Sequence, residues 1–179
     1  MFTSSRSINC TRPWSPESDF TPTDMKLVEA KADQFVFRFT RREREMLAHI
    51  LRQFPVGTGP VGPVSRQGDP DTLAEREALL AEAMAEQRQQ DRHLVDAFLG
   101  EQGRFAEVKG GFHLRLSAAQ MDWLLQVLNE VRVGLWVKAG RPEQPRSMVL
   151  GGHLEPALTM ELCAHFQMVL LGALGSVVD

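Results

Sequence analysis

From residue 35 to residue 39 the chain alternates, with Phe35, Phe37 and Phe39 on one side and Val36 and Arg38 on the other. That two-residue period is the mark of a half-buried strand. With MKLVEAK before it and Ala32-Asp33 between, the pattern predicts a β-hairpin over residues 25–39. Thr40-Arg41-Arg42-Glu43 then fits a capping box, in which hydroxyl and carboxylate each satisfy an orphan amide. The following helix carries Leu47, Ile50, Leu51 and Phe54 on one face and stops at Pro55. Residues 55–70, rich in proline and glycine, read as a long loop.

Asp69-Pro70 offers an N-cap and a first-turn proline for a helix over about 71–101. Its ends are apolar, through Leu73, Leu80 and Met84 and then Leu94, Val95, Phe98 and Leu99. Its centre, AEQRQQDRH, is polar, so a bend or an exposed middle is expected. Gly100 and Gly103 end it. FAEVKGGFHLRL, residues 105–116, predicts a second extended region turning at Gly110-Gly111. Ser117 to Gln120 form another capping box, opening a helix to about Ala139. After a polar linker over 141–153, a last helix runs from about Glu155 to Leu174. The expected fold is α+β and helix-dominated, with about four main helices and a small antiparallel sheet in one domain over 25–179. The Ser/Thr/Pro-rich residues 1–24 form an N-terminal arm, and Met25 is a candidate alternative start.

Composition narrows the function classes. The 179 residues are 43% hydrophobic and 24% charged, with 20 Lys+Arg against 23 Asp+Glu. A charge of −3 is too balanced to suggest nucleic acid or an anionic membrane as partner. Charge is uneven along the chain, however. Arg38, Arg41, Arg42, Arg44 and Arg52 cluster near the first helix and read as a solvated or internally paired face. Residues 67–110 carry ten acidic and five basic side chains, so the long helix is acidic. Two cysteines, Cys10 and Cys163, exclude a disulfide scaffold and a four-cysteine zinc site. The N-terminus has no apolar run of the kind a secretory signal needs. The apolar stretch 158–178 is long enough for a tail anchor, but it contains Glu161, His165 and Gln167. A central helix of a soluble core accounts for it without the roughly 2.5–3.5 kcal/mol cost of a carboxylate in a bilayer. The expected location is cytoplasmic, without a membrane contact.

Polar residues on apolar faces are the most informative feature. On a wheel turning about 100° per residue, Met121, Leu124, Leu125, Leu128, Val131 and Leu135 lie within about 60° of Leu128. Arg132 lies about 40° from Leu128, inside that arc, and Asn129 lies at its edge. A guanidinium there needs a carboxylate, with Glu155 or Glu161 the nearest in sequence, or a set of carbonyls with Gln167. In the last helix Leu162, Cys163, Phe166, Val169, Leu170 and Ala173 share a face with Thr159 in its middle and Gln167 at its edge. Asn129, Arg132 and Gln167 therefore form either a hydrogen-bonded knot between two helices or a small anion pocket. Met160, Met168 and Leu171 make a second apolar strip, expected to be covered by the long helix or by a second copy of the chain.

Trp123, Leu128-Asn129, Arg132, Gly134, Gln167 and Leu170 also carry a resemblance. Over 112–174, and more weakly over 34–54, the chain resembles a bacterial family known as a domain of unknown function. The resemblance implies a small cytosolic protein without an assigned reaction. Some members are encoded near an adaptor of ATP-dependent proteolysis, which implies a regulatory or adaptor role.

Enzyme chemistry finds little support. His153 with Glu155 and Glu161 with His165 supply ligand types, but not the spacing of a recognisable zinc site, and an ordinary ion pair explains the second couple. Cys163 sits on an apolar face, where burial makes a thiol inert. The glycines at 57–62 lack the lysine of a phosphate-binding loop. No cofactor, metal or catalytic residue is expected. The sequence points to a protein-interaction domain, regulatory or adaptor, with a protein partner or a homodimer. A ligand sensor or enzyme built on an anion pocket at Arg132 is the alternative.

Overall fold

A computed structural model describes residues 25–31, 33–57, 69–143, 148 and 151–176. The arm at 1–24 and most of the proline/glycine loop, residues 58–68, lie outside them. Strand β1 (Lys26–Lys31) and strand β2 (Gln34–Phe39) pair as the hairpin that the alternation predicts. Helix α1 (Arg41–Arg52) and the long α2 (Pro70–Gly100) follow. Strands β3 (Phe105–Val108) and β4 (Gly111–Ser117) make the second hairpin. Helices α3 (Ala118–Lys138) and α4 (Leu154–Gly175) complete the described chain.

The two hairpins join through β2 and β4 into one antiparallel sheet of order β1-β2-β4-β3. Register decides which side chains meet. Phe35, Phe37 and Phe39 stand opposite Leu116, Leu114 and Phe112 on the face that the helices cover. Phe39 meets the ring of Phe105 edge-on at 5.9 Å and stacks on Phe166 of α4 at 6.2 Å. Phe98 of α2 lies 6.3 Å from Phe105 and 5.5 Å from Trp123 of α3. The four described helices thus pack on one face of the sheet around a core of phenylalanines and leucines. Burying such side chains contributes roughly 1.5–3 kcal/mol each.

Both capping boxes form. Thr40 Oγ1 accepts from Glu43 N at 3.2 Å while the Glu43 carboxylate accepts from Thr40 N at 2.7 Å. Ser117 and Gln120 repeat the exchange at α3. Asp33, in the first hairpin turn, reaches the same helix end and accepts from Ala118 N at 3.1 Å.

Helix α2 is continuous, and its polar centre serves as a set of tethers. Arg88 pairs with Glu130 of α3 at 2.9 Å, and Arg92 donates to the carbonyls of Arg52, at the end of α1, and Phe54, just beyond it. Val95 and Phe98 then bury in the core. The basic cluster is dispersed: Arg41 pairs with Glu45 at 3.5 Å, and Arg44 stands 4.2 Å over the ring of Phe112.

Candidate interaction surface on the last helix

Among the described helices, α3 and α4 share the most extensive contact. The buried residues of α3 are Met121, Leu124, Val127, Leu128, Val131 and Leu135. Their arc is centred roughly 40° away from Leu128, toward Val127 and away from Arg132. That rotation corrects the expectation for Arg132, which is exposed, not buried between the helices. Its Nη1 donates to Gln167 Oε1 at a long 3.5 Å, and Gln167 Nε2 donates to the carbonyl of Leu125 at 3.3 Å. Neither Glu155 nor Glu161 pairs with Arg132. Asn129 is exposed on the same helix. The structure therefore brings Arg132 and Gln167 together as a surface bridge between the two helices. A guanidinium in water needs no buried partner, so the premise of a charged knot is removed.

Gly134 has a packing reason. A Cβ there would lie 2.6 Å from the Cβ of Val56, so the chain after α1 lies directly against α3 at this position. Trp123 is half-buried, and its Nε1 has no hydrogen-bond partner among the described residues.

Helix α4 divides into two sides. Cys163, Phe166, Leu170 and Ala173 are buried, and Thr159, also buried, returns its hydroxyl to the carbonyl of Glu155 at 2.9 Å. Burial pushes the Cys163 thiol up to about 12, against a smaller opposing pull from the Arg132 charge. It is an inert core thiol at neutral pH. The other side is open. Met168 is 63% exposed and Leu171 57%, so α2 does not cover them. Met160 leaves the expected strip, because it is half-buried and packs against the core. Leu154 and Leu158 join it, both exposed at the start of the helix. A helix apolar nearly all round gives no ranking of its arcs, so the wheel alone could not choose between Met160 and Leu158.

His153, Glu155 and Glu161 are exposed, while the half-buried His165 ring stands 6.1 Å from Phe166. Among the described residues no group of three or more His, Cys, Asp or Glu is placed to hold a metal ion. Helix α4 is the one described helix long and apolar enough, by length and composition, to cross a membrane. No family model matches this chain, and neither the curated proteins nor the solved structures compared with it give a match.

Proposed function

We propose that the protein is a cytosolic interaction domain, regulatory or adaptor in role, that presents the open side of α4 to a protein partner. The observation carrying this reading is the exposure of Leu154, Leu158, Met168 and Leu171 on a helix whose opposite side lies in the core. Large apolar side chains in water cost roughly 25 cal/mol per Å² relative to burial, and several of them exposed along one side of a helix suit an association surface. Methionine and leucine adapt their shape to a partner at low cost. Glu161 and His165 fall between the two apolar ends of the strip, and such polar groups suit a protein contact better than a hydrocarbon interior. The adaptor role is what the resemblance over 112–174 implies.

Affinity purification from the native host with wild type and Met168→Lys/Leu171→Lys, followed by mass spectrometry, tests the reading. Proteins retained by wild type and lost from the variant are expected. Identical sets from both would remove the strip as the contact surface.

A further inference from the structure

The sheet face turned away from the helices is basic. Register places Lys26, Arg38 and His113 opposite one another in a row across β1, β2 and β4. Glu29, Val36 and Arg115 form the next row, in which Val36 is buried and the two charged side chains exposed, and Lys31, Gln34 and Ser117 form the third. Glu29 pairs with Lys31, which holds its carboxyl below the usual carboxylate range, with a smaller pull from Arg115. Lys26 and Arg115 have no ion-pair partner among the described residues. Arg38 is held over the second hairpin turn, donating to the carbonyls of Lys109 and Gly110 at 3.3 and 3.5 Å. Like charges directly opposite across strands destabilise a sheet, and Lys26 faces Arg38 in this way. A counter-charge laid on the face would relieve that repulsion.

The same chain carries a matching surface. Asp71, Glu75, Glu82 and Glu86 fall within about 40° of Glu75 on the helical wheel of α2. All four are exposed, and none pairs with a cation among the described residues. Leu79 lies on the same stripe and is 60% exposed. From Asp71 to Glu86 the helix rises about 23 Å, close to the roughly 20 Å diagonal of a small four-stranded sheet.

We propose that this sheet face receives the acidic stripe of α2 from a second copy of the chain. Its own α2 cannot reach it, because Val95 and Phe98 anchor that helix in the core on the other side of the sheet. Nucleic acid fits less well. The rows contain no phenylalanine or tryptophan on which a base would stack, and the acidic stripe repels a polyanion. If two copies exchange helices reciprocally, the contact closes as a symmetric dimer; if each copy gives its helix to one neighbour and accepts from another, it continues into larger assemblies.

Sedimentation velocity on the full chain tests this, comparing about 0.01 M salt, where the screening length is about 30 Å, with about 0.5 M salt. Wild type is expected to sediment as a dimer or larger at low salt and to fall to the monomer at high salt. Arg38→Glu/Arg115→Glu and Glu75→Lys/Glu82→Lys are each expected to stay monomeric at low salt, and an equimolar mixture of the two to associate again. All four substitutions are on exposed side chains, and circular dichroism checks that each variant folds. A wild type that is monomeric at low salt overturns the proposal, as does association that neither variant reduces or that their mixture fails to restore. Fluorescence anisotropy with a labelled oligonucleotide adds one outcome. Binding by a monomeric wild type, lost in Arg38→Glu/Arg115→Glu, would give the face to nucleic acid and also overturn it.

Discussion

The buried carboxylate of Glu43 accepts a hydrogen bond from the backbone N–H of Met25, eighteen residues earlier, while it also caps α1 through Thr40. One side chain thus closes a helix end and ties down the residue just before the hairpin. Glu43→Gln keeps the shape but places a donor amide where three donors converge. It is expected to cost roughly 1–3 kcal/mol, and Glu43→Ala at least as much, because buried N–H groups lose their acceptor. A larger loss than for Thr40→Ala in urea denaturation would identify the contact with Met25 as the extra contribution. Equal losses would assign everything to the cap.

Gly134→Ala improves intrinsic helix propensity by up to about 1 kcal/mol. The added methyl meets Val56 at 2.6 Å, however, and this clash is expected to dominate, for a net loss of about 1–3 kcal/mol. Val56→Ala in the same chain should recover part of the loss. A thermal melt in which Gly134→Ala raises Tm would refute the close approach.

Cys163 titrates upward in the fold, so the linkage to pH has a definite sign. Well below about pH 8.5 the thiol is protonated in folded and unfolded chains alike and stability does not depend on it. Above that, the unfolded chain loses the proton first, and stability falls by up to about 1.4 kcal/mol per pH unit until the folded thiol itself ionises near 12. Comparing urea midpoints of wild type and Cys163→Ala across pH 8 to about 10.5 isolates this slope, which the variant should lack. Native Cys163 should also react with a thiol reagent only at the rate of unfolding.

Arg132→Met should change stability by no more than about 0.5 kcal/mol, because the guanidinium is exposed and its single bond to Gln167 is long. A loss of several kcal/mol in a melt would mean that the charge is buried after all.

Trp123→Phe removes an indole N–H that is buried without an acceptor, while keeping an aromatic ring beside Phe98. The two effects oppose each other, and a net change within about 1 kcal/mol is expected, against roughly 3–5 kcal/mol for Trp123→Ala. Similar losses for both variants, measured by denaturation, would show that the N–H is satisfied.

What the sequence by itself determined is local. The alternation at 35–39, the boxes at Thr40 and Ser117 and the Asp69-Pro70 start act through neighbours in the chain, and each element stands where its pattern places it. The tertiary structure decided what depends on distant residues. Helices α3 and α4 are apolar around most of their circumference, so their buried arcs were fixed only by packing against each other and the sheet. That packing turned Arg132 outward, drew Met160 inward and left Leu154 and Leu158 in solvent. The polar centre of α2 likewise had no visible purpose until Glu130 and the end of α1 came within reach of its arginines. Strand register, set by two hairpins meeting through β2 and β4, gathered cations from three separate segments onto one face. No spacing within one segment records that, because the charges become neighbours only when the sheet forms.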